Sequence, residues 1–349
     1  MNSLNFALIG CGRIAHRHAD ALTKNEKAKL VAVCDLMPER AREFKDKYGA
    51  RDWCTEYRRV LERPDIDVVN ICTPSGLHAQ MGIEAAQAGK QVIIEKPMAL
   101  SLHDADALIR ACEDRGVLLA VCHQNRFNPA VTQLRRALDG GRFGKLTHGA
   151  AVVRWSRPQA YYDQASWRGT WAMDGGCLMN QSIHNIDLLQ WMLGPVSSLF
   201  GYTARNLRNI EAEDLGEAIL RFQSGALGMI EASNTIFPEN LEETLSIFGE
   251  KGTVVLGGVA VNKIQEWKFG EVAGEASLKG QQEDVPNVYG FGHGALIEDL
   301  ICAIRDCRRP FIDGREGRKA LEIILAIYHS VRLKKEIDLP LKEEFYVYQ

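Results

Sequence analysis

The first third of the chain alternates between short apolar runs and helical patterns, and this alternation restricts the fold more than any other feature. The apolar, strand-like runs lie at 5–9, 30–35, 67–75, 91–95 and 117–122. Strand–helix–strand units of this length connect parallel neighbours by right-handed crossovers. The sequence therefore predicts a doubly wound parallel sheet, which binds its ligands at the carboxyl ends of the strands.

A glycine-rich turn joins the first run to the first helical pattern. Residues 10–15 read Gly-Cys-Gly-Arg-Ile-Ala, a permitted G-x-G-x-x-A form of the dinucleotide-binding motif. The first glycine allows a tight turn, and the second lets backbone approach a pyrophosphate. The helix that follows offers N–H groups and a positive dipole end to the phosphates. This turn predicts a dinucleotide site.

An acidic residue ends the second strand. Asp35 lies roughly 20 residues beyond the glycines, where the ribose hydroxyls of NAD are bound. A carboxylate there would repel a 2′-phosphate, so the sequence favours NAD over NADP. Arg40 leaves NADP open, and a turn or helix-cap role is the alternative for Asp35.

Polar residues also follow the later strands of this half. Thr73 and Ser75 end one strand and would border the cofactor, while His78 opens the next helix either as a ligand contact or as a cap. Glu95 and Lys96 end the strand at 91–95. A lysine directly after a buried strand is placed to meet a ligand.

The remainder of the chain has a different pattern. Strand-like segments dominate at 146–154, 196–204, 214–222, 226–233, 244–249 and 252–256, and short turns join some of them. We predict a Rossmann NAD-binding domain at 1–124 and a substrate-binding and oligomerisation domain at 125–349, built on a mainly antiparallel sheet. A sheet face free of helices needs a cover, and a contact between copies of the chain is the simplest one.

One helix, predicted at 175–193, interrupts these strands. Asn180, His184, Asp187 and Trp191 are spaced to form one stripe. His184 is a candidate acid–base residue, because histidine titrates near neutral pH. The alternative is a structural histidine whose nitrogens are bonded within the fold.

Aromatic and arginine residues are concentrated just upstream of that helix. Arginine binds phosphate or carboxylate with two parallel hydrogen bonds, and aromatic rings can flank a sugar or a base. An interface or core patch is the alternative interpretation. The residues are Trp155, Arg157, Tyr161, Tyr162, Trp167, Arg168 and Trp171.

Composition excludes several classes of function. The 349 residues carry a net charge of −3, which does not suggest a nucleic-acid surface. No apolar run has the length of a membrane span, and the first residues do not have the pattern of a signal peptide. Nine cysteines without a Cys-x-x-Cys pair indicate no disulfide framework and no metal centre, and favour a cytoplasmic setting.

Three of these segments together make the chain resemble the Gfo/Idh/MocA family of oxidoreductases, named for glucose–fructose oxidoreductase, inositol dehydrogenase and relatives. They are residues 10–15, Glu95-Lys96-Pro97 and the helix with Asn180 and His184. The Glu-Lys-Pro segment is diagnostic of that family. Many members carry Asp at the position of Asn180, whereas the WlbA subgroup carries Asn. Shorter segments also look like that subgroup, at 158–163, 167–171, 179–181, 257–262, 288–293 and 313–317.

The resemblance implies an N-terminal Rossmann domain and a C-terminal α+β domain with a large, mainly antiparallel, open-faced sheet. It implies NAD-dependent oxidation of the C3 hydroxyl of UDP-N-acetyl-2-amino-2-deoxy-D-glucuronate, a step in surface-polysaccharide biosynthesis. A homotetramer is implied too, and in some members 2-oxoglutarate re-oxidises the cofactor. Another sugar or inositol dehydrogenase is the alternative, and a nicotinamide-sensing regulator is a second one that needs no catalytic pair.

Residue roles are carried over on the same matches. We expect His184 to accept the hydroxyl proton and Lys96 to hydrogen-bond the same oxygen, with Glu95 orienting Lys96 or the cofactor. Cofactor contacts are expected from Gly10, Gly12, Arg13, Ile14, Asp35, Thr73, Ser75, Leu77, His78, Glu95, Lys96, Gln124, Trp167 and Arg168. Substrate contacts are expected from Lys96, Arg157, Tyr162, Arg168, Asn180, Gln181, His184, Tyr289 and Arg315.

Overall fold

The computed structural model describes residues 3–270, 278, 280–281, 290 and 292–342. The chain divides into two compact units. Met1–Gln124 and Phe291–Arg318 form the first, and Asn125–Gly290 and Lys319–Gln349 form the second.

The first unit contains a six-stranded sheet in the order β3-β2-β1-β4-β5-β6, and all neighbouring strands are parallel. This is the doubly wound dinucleotide-binding order, so the predicted fold class is confirmed for this half. The strands are β1 (Leu4–Ile9), β2 (Ala28–Cys34), β3 (Asp52–Cys54), β4 (Val68–Ile71), β5 (Gln91–Ile94) and β6 (Leu119–Val121). Strands β1, β4, β5 and β6 are almost entirely buried, as expected when helices cover both faces.

The helices of this unit begin and end where the local sequence predicts. Pro38 starts α2, and Gly49, in a left-handed conformation, ends it. The Ser101 side chain caps α5 by accepting the N–H of Asp104. The bounds are α1 (Ala15–Thr23), α2 (Pro38–Tyr48), α3 (Tyr57–Leu61), α4 (His78–Gln87) and α5 (Leu102–Arg115), and a later helix, α9 (Gly292–Arg305), packs against α1.

The division of the chain differs from the single boundary expected after residue 124. The segment Phe291–Arg318 belongs to the first unit. The N–H of Val121 donates to the carbonyl of Ile312 at 2.9 Å, so this segment extends the edge of the sheet beside β6. A contact of this kind between residues far apart in sequence leaves no local pattern.

The second unit contains an eight-stranded sheet in the order β13-β12-β11-β7-β10-β9-β8-β14. Every neighbouring pair is antiparallel except β7 and β10, which are parallel. The strands are β7 (Leu146–Arg154), β8 (Val196–Ala204), β9 (Leu215–Phe222), β10 (Leu227–Ser233), β11 (Glu242–Gly249), β12 (Gly252–Gly257), β13 (Lys263–Phe269) and β14 (Ile337–Asp338). The mainly antiparallel sheet is therefore confirmed.

Helices cover one face of this sheet. The bounds are α6 (Pro129–Asp139), α7 (Gln159–Tyr162), α8 (Ile183–Leu193) and α10 (Gly314–Leu333), whose first turn belongs to the first unit. Helix α8 packs on β7 and β11. Side chains on β9 alternate strictly between buried and exposed, which is typical of a sheet with one open face.

The predicted helix at 175–193 is two separate elements. A π-helical turn at Cys177–Gln181 comes first, and α8 begins only at Ile183. Gly175 has a φ of +77°, which an ordinary helix does not allow. Within the described part of the chain, no helix is both long and apolar enough to span a bilayer.

Candidate active site

The glycine turn of the first unit has the geometry that a dinucleotide needs. Gly10 has a φ of +92°, and a Cβ there would lie 2.7 Å from the carbonyl oxygen of Cys72. A Cβ at Gly12 would instead meet nothing within 4 Å. No side chain caps the start of α1, so its first N–H groups are available to phosphate oxygens. Arg13 is exposed and Ile14 half-buried in the same turn.

Asp35 holds this turn from the end of β2. Its Oδ2 accepts the backbone N–H of Cys11 at 2.8 Å, and its Oδ1 accepts that of Met37 at 2.9 Å. The carboxylate thus fixes the glycine turn and the start of α2, as the alternative interpretation expected. Each carboxylate oxygen has a second lone pair, so this role leaves room for ribose hydroxyls.

His78 joins the two loops that follow β4 and β5. Its Nδ1 lies 2.7 Å from the carbonyl of Pro97, and its Nε2 lies 2.8 Å from that of Thr73. Both ring nitrogens face backbone oxygens, and burial lowers the pKa of this histidine. The structure therefore gives His78 a loop-positioning role and does not support a direct ligand contact.

The neighbouring residues of that loop differ in exposure. Thr73 and Leu77 are half-buried, and Ser75 is buried in a 3-10 turn at Ser75–Leu77. Gln124, also expected at the cofactor, is buried at the start of another 3-10 turn.

Lys96 is the second residue after the end of β5 and is half-buried. Its backbone N–H donates to Oε2 of Glu95 at 3.2 Å. Glu95 is buried, and its Oε1 lies 2.8 Å from Nε2 of His18. The expected orienting role of Glu95 thus has a direct structural basis in the Lys96 peptide.

In the second unit, the predicted aromatic and arginine residues stack on one another. The guanidinium of Arg168 lies 4.4 Å from the ring centre of Tyr161 and 4.6 Å from that of Trp167, and it donates to the Tyr161 hydroxyl at 2.7 Å. Arg157 lies 4.6 Å from the ring centre of Trp155. The rings hold both cations in defined orientations.

Tyr162 and Gln181 differ from expectation, because both are buried and bonded within the unit. The Nδ2 of Asn234 donates to the Tyr162 hydroxyl at 2.9 Å and to Oε1 of Gln181 at 2.8 Å. Burial raises the pKa of the Tyr162 phenol. These contacts stabilise the loop and the π-helical turn. They give no evidence that either residue contacts the substrate directly.

The expected polar stripe separates into two parts. Asn180 and His184 are half-buried, and the Asn180 side chain hydrogen-bonds to Asp174. Asp187 is instead fully buried and forms two hydrogen bonds with Arg126, at 2.7 and 2.6 Å. Asp187 therefore has a structural role, and Asn180 and His184 are the members of the stripe that stay candidates for a direct role.

Two buried glutamates escaped the sequence analysis. Glu213 accepts the N–H of Leu178 at 3.0 Å, beneath the π-helical turn, and burial raises its pKa to about 7. Glu243 lies on β11, and burial raises its pKa to about 8. Each stands in a strand region where a charged residue is ordinarily assigned to the exposed face, so no local signal distinguished them.

Two expected substrate contacts have other outcomes. Tyr289 lies outside the described residues. Arg315 donates to Glu113 at 2.7 Å, near the end of α5 that leads into β6. Helices run antiparallel to the strands in this fold. Arg315 therefore lies near the amino ends of the strands of its own sheet, on the side opposite to their carboxyl ends. The structure does not place it with the nucleotide-binding loops.

A parallel sheet with a glycine turn, an acid after β2 and a lysine after β5 defines a nicotinamide-dependent oxidoreductase. Comparison with known families identifies the family of oxidoreductases. Residues 4–123 match the NAD-binding Rossmann fold of the GFO/IDH/MocA oxidoreductase family, and residues 131–255 match the C-terminal domain of that family. The chain belongs to the GFO/IDH/MocA family, which confirms the resemblance. Its cofactor is NAD, as predicted.

Solved structures and curated relatives are similar to this chain over nearly its whole length. The WlbA dehydrogenase from Bordetella pertussis, in complex with NADH and UDP-GlcNAcA, is 42% identical, with a TM-score of 0.88, over 98% of this chain and 100% of that chain. The WlbA dehydrogenase from Chromobacterium violaceum, with the same ligands, is also 42% identical, with a TM-score of 0.90, over 98% of each chain. The scyllo-inositol 2-dehydrogenase (NAD(+)) of Bacillus subtilis is 29% identical over 97% of each chain.

Proposed function

We propose that this enzyme oxidises the C3 hydroxyl of UDP-N-acetyl-2-amino-2-deoxy-D-glucuronate to the 3-keto sugar, in the biosynthesis of a surface polysaccharide. The observation that carries the proposal is the 42% identity, over 98% of the chain, to two dehydrogenases solved with NADH and UDP-GlcNAcA. Identity to the inositol dehydrogenase is lower, at 29%.

The residues of the second unit support an anionic substrate. A UDP-uronate carries a diphosphate and a carboxylate, so its site needs fixed cations. Arg157 and Arg168 supply them on stacked aromatic supports. A bidentate guanidinium held by rings loses little conformational entropy on binding an anion. We assign the substrate's anionic groups to these two arginines.

In the proposed reaction NAD supplies the hydride acceptor, which takes the hydrogen from C3. His184 accepts the proton of the C3 hydroxyl as the C–O bond becomes a carbonyl. Lys96 donates a hydrogen bond to the same oxygen and stabilises its developing negative charge. Asn180, held by Asp174, positions a neighbouring hydroxyl. One hydride and one proton leave the sugar, and NADH, a proton and the ketone result.

We further propose a homotetramer in the cytoplasm and re-oxidation of the cofactor by 2-oxoglutarate. The open face of the eight-stranded sheet supports self-association. Large apolar side chains on β8, β9 and β10 are between 44% and 69% exposed, namely Tyr202, Ile219, Leu227 and Met229. An apolar patch of this kind marks an interaction surface, and sedimentation analysis tests the tetramer.

An inositol dehydrogenase is the second candidate, favoured by the NAD-dependent scyllo-inositol relative. Turnover assays with NAD and 2-oxoglutarate separate the two. We expect the UDP-uronate to lose two hydrogen atoms by mass spectrometry, and UDP-N-acetylglucosamine, which has no carboxylate, to remain unchanged. Oxidation of scyllo-inositol with no reaction of the UDP-uronate would reject the proposed substrate.

The roles within the reaction have a separate test. Lys96→Met should abolish turnover while NAD binding, followed by fluorescence titration, survives. Full turnover in that variant would reject the assignment of Lys96.

A further inference from the structure

A buried cluster of titratable side chains lies beside the strand end that carries Lys96. Exposure is 5% for Glu95, 0% for His18 and 3% for His293. The Oε1 of Glu95 lies 2.8 Å from Nε2 of His18 and 3.5 Å from Nε2 of His293. The two imidazole rings meet edge to face with centres 5.0 Å apart. A carboxylate removed from water needs a donor, and here His18 on helix α1 supplies it, while His293 on α9 lies close by.

The other oxygen of the same carboxylate fixes the backbone of Lys96. The N–H of Lys96 donates to Oε2 of Glu95 at 3.2 Å. On the far side of the lysine, the carbonyl of Pro97 lies 2.7 Å from Nδ1 of His78. The N–H of Lys96 and the carbonyl of the next residue, Pro97, therefore both contact buried side chains, which restricts the backbone from which the lysine side chain extends.

The hydrogen-bond pattern indicates where the protons lie. Nδ2 of Asn70, a donor, lies 3.0 Å from Nδ1 of His18. That nitrogen accepts, so the opposite Nε2 carries the proton that it donates to Glu95. Burial by itself would raise the pKa of Glu95, but the hydrogen bond from His18 and the nearby imidazole of His293 hold it well below its usual range. Glu95 is therefore a carboxylate.

Other titratable groups around this carboxylate are neutral. The thiols of Cys72 and Cys122 also face Glu95, and burial raises the pKa of both well above the usual range. Burial lowers the pKa of His293, with a small further contribution from the charge of Arg17. Glu95 is therefore the charged group of this cluster, next to Lys96 in the sequence.

A metal ion does not account for this cluster. Ligand atoms of His18, Glu95 and Cys122 all lie within 4.8 Å of one another. The 2.8 Å between His18 and Glu95 is a hydrogen-bond distance. Two such ligands on a tetrahedral zinc ion, at about 2.0 Å each, would stand about 3.3 Å apart. The geometry is that of a shared proton.

We propose that His18 and His293 are positioning residues for the oxidation: through Glu95 they fix the Lys96 peptide and maintain a negative charge that favours the ammonium form of the lysine. This inference rests on the proposed role of Lys96. It connects α1 and α9 to Lys96 through Glu95. It also assigns a chemical role to His293, the last residue of the 288–293 motif.

The test compares donor-deleting and donor-retaining substitutions in the full-length enzyme. His18→Leu removes the N–H that Glu95 accepts, and His293→Leu removes the imidazole nitrogen that lies 3.5 Å from the same oxygen, whereas His18→Gln and His293→Gln keep an N–H near the Nε2 position. His103→Gln, an exposed histidine on α5, is the matched control. We expect kcat to fall about 30- to 100-fold in the Leu variants, because small misplacements of a reacting group cost this much.

Three accompanying readouts separate positioning from general destabilisation. The dissociation constant for NAD and the KM for sugar should stay within about threefold of the wild type, since both substituted histidines are buried. The Gln variants should recover most of kcat. The alkaline limb of the kcat profile should move to lower pH in the Leu variants, because Lys96 loses its proton more readily without a charged Glu95.

Several outcomes would overturn the proposal. One is that activity falls only in proportion to the amount of folded protein, with the alkaline limb of the kcat profile unchanged. That result would show that these histidines serve packing alone. If the Leu variants do not fold, Glu95→Gln decides, because it keeps the acceptor for the Lys96 N–H and removes the charge. An unmoved limb in that variant rejects the proposal.

Different results would reject the positioning role of the histidines, the role of Lys96 and the proposed substrate. If Lys96→Met abolishes turnover but the histidine variants keep the wild-type kcat, only the positioning role is rejected. If Lys96→Met retains turnover, the assignment of Lys96 is rejected first. A wild-type enzyme that oxidises scyllo-inositol and ignores the UDP-uronate rejects the substrate alone, and the histidine variants are then compared with scyllo-inositol.

Discussion

The hydroxyl of Tyr328 donates a hydrogen bond to Oε1 of Glu213 at 2.9 Å, in the interior of the second unit. The same carboxyl supports the π-helical turn through the N–H of Leu178. Burial raises the pKa of Glu213 to about 7 and that of Tyr328 well above its usual range. The turn that carries Asn180 is therefore built on a carboxyl group that holds its proton unusually tightly.

This carboxyl makes stability depend on pH. The pKa of Glu213 is raised on folding, so its contribution to stability is complete below about pH 4.5 and is lost as pH rises to about 7. Glu213→Gln keeps the acceptor but cannot ionise. We expect its free energy of unfolding, relative to the wild type, to rise by about 2.5 kcal/mol between pH 5 and pH 8 in urea titrations. Glu239→Gln, at an exposed loop position, is the control, and an equal change in both variants would contradict the prediction.

Gly176 is packed against the same carboxyl group. A Cβ there would lie 2.1 Å from the carboxyl carbon of Glu213. Gly176→Ala should therefore cost about 1–3 kcal/mol of stability and displace the π-helical turn, so KM for the sugar should rise as well. Gly294→Ala, in α9 with nothing within 4 Å of the added Cβ, should instead stabilise by about 0.5–1 kcal/mol. Thermal denaturation of both variants measures the contrast.

The two glycines of the dinucleotide turn should respond differently to alanine. Gly10→Ala introduces both a forbidden φ and a clash with the Cys72 carbonyl, so it should destabilise the protein by about 2 kcal/mol or more. Gly12→Ala meets open space, so its melting temperature should be unchanged while its methyl group blocks the pyrophosphate. We expect at least a tenfold weaker NAD affinity by fluorescence titration. Unchanged NAD affinity in Gly12→Ala would place the pyrophosphate elsewhere.

Arg168 offers a test of anion recognition in the second unit. Lysine cannot reproduce a planar guanidinium held between Tyr161 and Trp167. Arg168→Lys should raise the KM for the UDP-uronate about 10- to 100-fold at saturating NAD. Tyr161→Phe removes only the hydroxyl that accepts from Arg168, so its effect should be smaller. A larger effect in Tyr161→Phe would indicate that the tyrosine itself contacts the substrate.

Much of the first unit could be predicted because its signals are local. The glycine turn, Asp35 and the Glu95-Lys96 pair are each defined by a few adjacent residues, and the parallel sheet places them by rule at the ends of its strands. The helix at 175–193 could not be predicted correctly, because the positive φ of Gly175 and the close approach of Glu213 to Gly176 depend on tertiary packing. The same applies to Tyr162 and Gln181, whose burial depends on Asn234 more than 50 residues away.

The sequence by itself determined the alternation of strands and helices, the dinucleotide turn and the family, because each depends on periodicity or on residues close together in the chain. Only the tertiary structure decided which polar residues are buried and what they bond. Segments far apart in sequence must pack together before distant side chains can meet, as in the group of His18, Glu95 and His293 and in the pair of Arg126 and Asp187. The free energy of a buried charge depends on the partners that such packing supplies.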